Sequence, residues 1–126
     1  MQFRAARHTN RLEAITQFYT SVLGLEVLGS FTDHEGYNGV FIGKRGLPWH
    51  LEFTSSEEEA THTPDADDLL VLYPDTQAEV DAIEQRLKAA SIPIVPAQNP
   101  YWNRNGLHVL DPDGFGVVIS PQRTVA

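Results

Sequence analysis

LHVLDPDGFGVVIS, residues Leu107 to Ser120, sets two runs of strand-forming residues on either side of Asp111-Pro112-Asp113-Gly114. Proline fixes its own φ, aspartate accepts backbone hydrogen bonds locally and glycine supplies a positive φ, so the four residues predict a tight hairpin turn. Leu107 and Val109 fall on one face, His108 and Leu110 on the other. Beyond the turn, Phe115, Val117 and Ile119 share a face opposite Gly116, Val118 and Ser120. One apolar face and one mixed face imply helices packed behind the sheet and a cavity in front of it.

Outward from the hairpin, the same order of elements occurs twice. Phe3 to Thr9 predicts a short strand. Asn10 is placed to cap a helix with Glu13 three residues on, in the manner of a capping box. Leu12, Ile15, Phe18, Tyr19 and Val22 make its apolar stripe, and Gly24 is placed to end it in a left-handed conformation. Leu25 to Phe31, Tyr37 to Ile42 and Trp49 to Thr54 predict three strands, with turns at Asp33 to Gly36 and Gly43 to Pro48. In the last of them Trp49, Leu51 and Phe53 alternate with His50, Glu52 and Thr54. After SSEEEATHTPDAD, residues 55–67, the order returns: a strand from Leu69 to Tyr73, then a helix capped by Thr76 with the stripe Val80, Ile83 and Leu87. A strand over Ile94 to Ala97 follows, interrupted by Asn99-Pro100 before Tyr101 and Trp102, and the hairpin closes the set.

The caps Asn10 and Thr76 stand 66 positions apart, as do Glu52 and Val118. A unit this small cannot bury a sheet alone, so two copies must pack side by side or across a dimer. The expected fold is α+β, one domain over residues 1–126 made of two βαβββ modules forming a sheet-lined cavity. The modules span 1–54 and 68–126, joined by an acidic linker over 55–67.

Composition narrows the function classes. Seventeen acidic against nine basic residues give a net charge of -8, which argues against nucleic acid or an anionic membrane as partner. With no cysteine there is no disulfide, thiolate metal site or cysteine nucleophile. No apolar run approaches the roughly 20 residues that cross a bilayer. MQFRAARHTNRLEAI has no hydrophobic signal core, so a cytoplasmic protein is expected. Asp111, Asp113 and Gly114 lack the remaining oxygen ligands and closing glutamate of a calcium loop. No HExxH, GxSxG or Walker-type loop is present.

LEAITQFYTSVLGLEV after the first strand, HLEF in the fourth and LHVLDPDGFGVVIS at the end, with the duplication, resemble the vicinal-oxygen-chelate superfamily. It includes glyoxalase I, bleomycin-resistance proteins, fosfomycin-resistance enzymes and extradiol dioxygenases. The resemblance covers almost the whole chain and implies the glyoxalase/bleomycin-resistance/dioxygenase fold. It does not choose a reaction, because the superfamily holds metal enzymes and metal-free binders alike. In its metal-using members, four ligands come one each from the first and last strand of each module. Carried over by motif, those positions hold Arg4, Glu52, Asp68 and Val118. Arginine has no lone pair to offer and valine has no donor atom. The expectation is therefore no complete metal site and no cofactor, with Arg4 where a cation would sit and Glu52 and Asp68 as its counter-ions. His8, four residues from Arg4 on the same strand face, becomes a metal ligand only if the strand is bulged.

His50, which shares a face with Glu52, and His108, on the mixed face of the hairpin, are candidate acid–base residues. Tyr101, Trp102 and Arg104, with Asn103, form a polar-aromatic cluster able to stack on a flat or apolar ligand. By alternation Trp49 belongs to the helix-packed core. Two functions follow. The first is a protein that binds a small apolar or aromatic molecule in the cavity, working as a homodimer. The second is a metal-dependent glyoxalase-type lyase/isomerase or dioxygenase.

Overall fold

In the computed structural model, which describes residues 1–121, the first sheet is built from β1 (Phe3–His8), β2 (Glu26–His34), β3 (Tyr37–Gly43) and β4 (Trp49–Ser55). Their order is β1-β4-β3-β2, with β1 parallel to β4 and the other pairs antiparallel. These strands belong to a unit that ends at His62. Helix α1 (Leu12–Gln17) runs on into a π-helical turn over Phe18–Val22 and stops at Gly24, whose φ of 84° is the left-handed stop predicted for it. The helix packs on β3 and β4, burying Ile15, Phe18 and Tyr19 with Val40, Ile42, Leu51 and Phe53. Tyr19 stacks on Phe53 at 5.0 Å, and Arg7 Nη2 donates to the Tyr19 hydroxyl at 3.1 Å with its guanidinium over the Phe53 ring. Trp49, expected in this core, is half-buried beside Phe3.

Three local expectations are corrected here. Asn10 does not cap α1: Arg11 occupies that position with no side-chain cap bond, and Glu13 completes no capping box. The Asn10 amide instead grips the peptide of Ala60, donating to its carbonyl at 3.0 Å and accepting its N–H at 2.8 Å. Strand β2 runs on to His34 through two irregularities, so the turn contracts to Glu35-Gly36, both at positive φ. The segment expected as a free linker is divided. Its first part is fastened to the first unit by Ala60, by His62 Nε2 on the His8 carbonyl at 2.8 Å and by Ser56 Oγ on His8 Nε2 at 3.1 Å.

From Thr63 onward, β5 (Leu69–Leu72), β6 (Leu107–Leu110) and β7 (Gly116–Ile119) form a second sheet in the order β5-β7-β6, with helices α2 (Gln77–Ala89) and α3 (Pro100–Asn105). Thr76 caps α2 by accepting the Glu79 N–H, while the Glu79 carboxylate takes the Asp75 N–H. Val80, Ile83 and Leu87 are its buried residues. The hairpin turn is held by Asp111, 4% exposed, whose Oδ1 accepts the N–H groups of Asp113 and Phe115, with Gly114 at φ 87°.

The strand predicted at Ile94 to Ala97 does not form. Val95 donates its N–H to the His108 carbonyl at 2.9 Å, but its own carbonyl accepts from the His108 ring. Both polar groups of Ala97 are taken by the Asn103 amide, at 2.7 and 3.0 Å. Pro93 and Pro96 have no N–H to offer a ladder. Asn99 and Pro100, read as an interruption, open α3: Asn99 Oδ1 accepts the Tyr101 N–H and proline fills the first helical position, so Tyr101 and Trp102 are helical.

Candidate functional site

The register of the first sheet decides which side chains meet. Arg4 pairs with His50 across β1 and β4, Ala6 with Glu52, and Glu52 with Phe41 across β4 and β3. Directly paired residues project to the same side of a sheet, so Arg4, His50, Glu52 and Phe41 share the face opposite Leu51 and Phe53. Arg4 Nε donates to His50 Nε2 at 2.9 Å. Because the guanidinium only donates, His50 Nε2 carries a lone pair and the ring proton sits on Nδ1. Arg4 Nη1 lies 3.6 Å from Glu52 Oε1, a single approach rather than a bidentate fork. The guanidinium carbon sits 4.9 Å from the centre of the Phe41 ring, which meets His50 edge-on at 5.7 Å and Phe31 at 5.7 Å. The Arg4 side chain is 50% exposed and Glu52 16%. A cation, an imidazole, a carboxylate and two apolar rings thus line one sheet face.

The four positions that the resemblance assigns to metal ligands do not make a donor set for a divalent cation. Arg4 cannot ligate, Val118 is fully buried with no donor atom, and Glu52 faces Arg4. Asp68 precedes β5 and is exposed, its carboxylate accepting the Asp65 N–H at 3.4 Å. Strand β1 runs in unbroken register with β4, so His8 keeps its place four residues along and bonds Ser56. Among the described residues no three His, Asp or Glu side chains gather where an ion could sit.

In the second unit, His108 pairs with Val118 and projects to the face that carries Gly116. It is 6% exposed. Its Nδ1 donates to the Val95 carbonyl at 3.1 Å, a bond that fixes the tautomer, and its Nε2 is buried without a partner. A Cβ at Gly116 would stand 2.7 Å from that nitrogen, so the ring needs glycine beneath it. His108 therefore fastens the segment that replaces a strand. Tyr101 and Trp102 meet edge to face at 4.8 Å, both half-buried, and Arg104 is exposed. The sequence does not mark Phe41 as the floor under Arg4, and it places Asn103 in a ligand-stacking cluster where the structure makes it the clamp on Ala97. Phe41 shows itself only once the β3–β4 register is known, because nothing in its own strand marks it as Arg4's neighbour.

Family models described as the YycE-like N-terminal domain and the YycE-like C-terminal domain match residues 3–54 and 67–120. The uncharacterized protein YycE of Bacillus subtilis (strain 168) is 38% identical over 126 residues, which is 99% of this chain and 91% of that one. A 2.0 Å crystal structure of a YycE protein of unknown function from the same organism superposes with a TM-score of 0.89 at 38% identity, covering 99% and 92% of the two chains. Two more distant structures share the fold. The trypanothione-dependent glyoxalase I of Leishmania major has a TM-score of 0.73 at 21% identity, covering 95% of this chain and 85% of its own. TnmS3, an antibiotic binding protein from Streptomyces sp. CB03234, has 0.67 at 20%, covering 95% and 93%. The mixed α+β architecture with one four-stranded and one three-stranded sheet is thus the glyoxalase/bleomycin-resistance fold that the resemblance implies.

Proposed function

Because the chain belongs to the YycE-like family, within the vicinal-oxygen-chelate superfamily, we propose that it binds a small apolar or aromatic molecule over the Arg4 face of its first sheet, without a metal ion. The observation that carries this is the guanidinium of Arg4 at the first ligand position, held by His50 at 2.9 Å and facing Glu52 at 3.6 Å. A permanent positive charge there repels a divalent cation and engages the carboxylate that would have ligated it. The rings of Phe41 and Phe31 supply apolar surface beside it, of the kind on which small ligands settle with a few polar groups to orient them. In this reading the working form is a homodimer. The net charge of -8 leaves small molecules, not nucleic acid or membrane, as the partner class, and among the described residues no helix is long and apolar enough to cross a membrane.

The test is elemental analysis of protein purified without chelator, run beside a thermal-shift screen of aromatic compounds. Metal well below one equivalent and a ligand-dependent rise in Tm are the expected results. One equivalent of nickel, zinc, manganese or iron bound to the folded protein would overturn the proposal in favour of the metal-dependent lyase.

A further inference from the structure

Resting on that reading of the Arg4 face, we infer that the bound molecule presents an uncharged group with a hydrogen-bond acceptor and a donor side by side, of the carboxamide type. Its carbonyl takes N–H groups of Arg4, and its own N–H goes to Glu52.

A guanidinium has five N–H donors. Arg4 commits one, Nε–H, to His50. Its Nη1 stands 3.6 Å from Glu52 Oε1, beyond hydrogen-bond length, and among the described residues no acceptor meets the terminal nitrogens. Glu52 is the mirror case. Its carboxylate has acceptor sites to fill and is only 16% exposed, yet no donor of the described residues comes within hydrogen-bond range of it. A donor edge and an acceptor edge therefore lie next to one another as an ion pair, neither closed by a hydrogen bond to a described residue. Neither is loose: Arg4 is pinned at Nε by His50 and across its face by Phe41.

Charge selects among the groups that could fill them. Guanidinium and carboxylate cancel, and His50 Nε2 is taken up as the acceptor of the Arg4 Nε–H bond. A carboxylate ligand is drawn to Arg4 and repelled by Glu52, and an ammonium suffers the reverse. An uncharged amide satisfies both edges at once, while its flat apolar body lies on Phe41 and Phe31.

The experiment is isothermal titration of the full chain with four probes on one scaffold: 2-naphthamide, N,N-dimethyl-2-naphthamide, 2-naphthoate and 2-acetylnaphthalene. The primary amide is expected to bind at least tenfold more tightly than the dimethylamide and the ketone, which cannot donate, and than the anionic naphthoate. Glu52→Gln removes the repulsion and should narrow the gap between amide and naphthoate at least tenfold. Arg4→Gln, should the first variant fail to fold, is expected to weaken the amide and the ketone alike, each at least tenfold, because both carbonyls lose the N–H groups of Arg4 while the donor that separates the two probes still meets Glu52. Equal binding of all four probes would overturn the donor–acceptor inference and leave the apolar-face reading standing. Tightest binding of naphthoate would replace the inference with anion recognition. Binding of none would overturn both.

Discussion

In the first unit the strand that follows the helix, β2, meets β3 through backbone pairing from Glu26 to His34, with two irregularities. In the second unit the run in the equivalent place, 92–97, meets β6 through one backbone bond among the described residues, from Val95 to His108. The remaining polar groups of Val95 and Ala97 go to the side chains of His108 and Asn103. A place in a sheet can thus be filled either by a ladder or by a chain whose peptides are satisfied one at a time from the side. The physical requirement, that buried peptide groups find partners, is met in both cases. What differs is where the stability resides: in the first unit it lies in a sheet packed on a helix, in the second partly in two polar side chains.

The strongest way to break this contrast is to empty the core of the first unit. Phe53 is 2% exposed and supports both the Tyr19 ring and the Arg7 guanidinium. Phe53→Ala should cost about 3–5 kcal/mol in chemical denaturation. A loss under about 1 kcal/mol would mean that the helix–sheet packing does not hold this unit together.

Next in size is the clamp of the second unit. Ala97 is 6% exposed, and Asn103→Ala leaves both its N–H and its carbonyl without their partner. The expected cost is about 1–3 kcal/mol, with amide exchange accelerating at Ala97 and Val95 before it does in β7. If exchange instead rises evenly over β5, β6 and β7, the segment is an integral strand of the sheet and the contrast between the units fails.

The same contrast explains what the sequence could and could not disclose. Alternation placed His108, Gly116 and Val118 on one face of the hairpin and Leu51 with Phe53 on one face of β4, but it did not disclose that β7 is buried on both faces, from Gly116 to Ile119. The Asp-Pro-Asp-Gly turn, the Thr76 cap and the stop at Gly24 were legible because each rests on the conformation or hydrogen bond of one residue. The apolar content of Ile94 to Ala97 suits a strand, but the groups that divert its peptides lie at positions 103 and 108. Pro93 and Pro96 were the local warning. At the candidate site, the residue types at positions 4 and 52 were read from motif, but the Phe41 floor and the proton on His50 Nδ1 depend on register and distance. Those are tertiary facts with no local signature.

The finest test sets the two asparagine and threonine residues once expected to cap helices against each other. Thr76 performs that role, its hydroxyl accepting the Glu79 N–H at 3.2 Å, and Thr76→Ala should cost about 1 kcal/mol with a small loss of helical circular dichroism. Asn10 makes two hydrogen bonds, but both reach across to Ala60 and both are exposed, so water replaces much of what is lost. Asn10→Ala should cost about 0.5–1 kcal/mol, leave helical content unchanged and speed exchange at the Ala60 amide. Equal losses of helix signal in the two variants would show that Asn10 acts on α1 after all. A change confined to Ala60 would show instead that the two halves of the duplication, each with a cap-type residue three places before a glutamate, have given that place two different mechanical tasks.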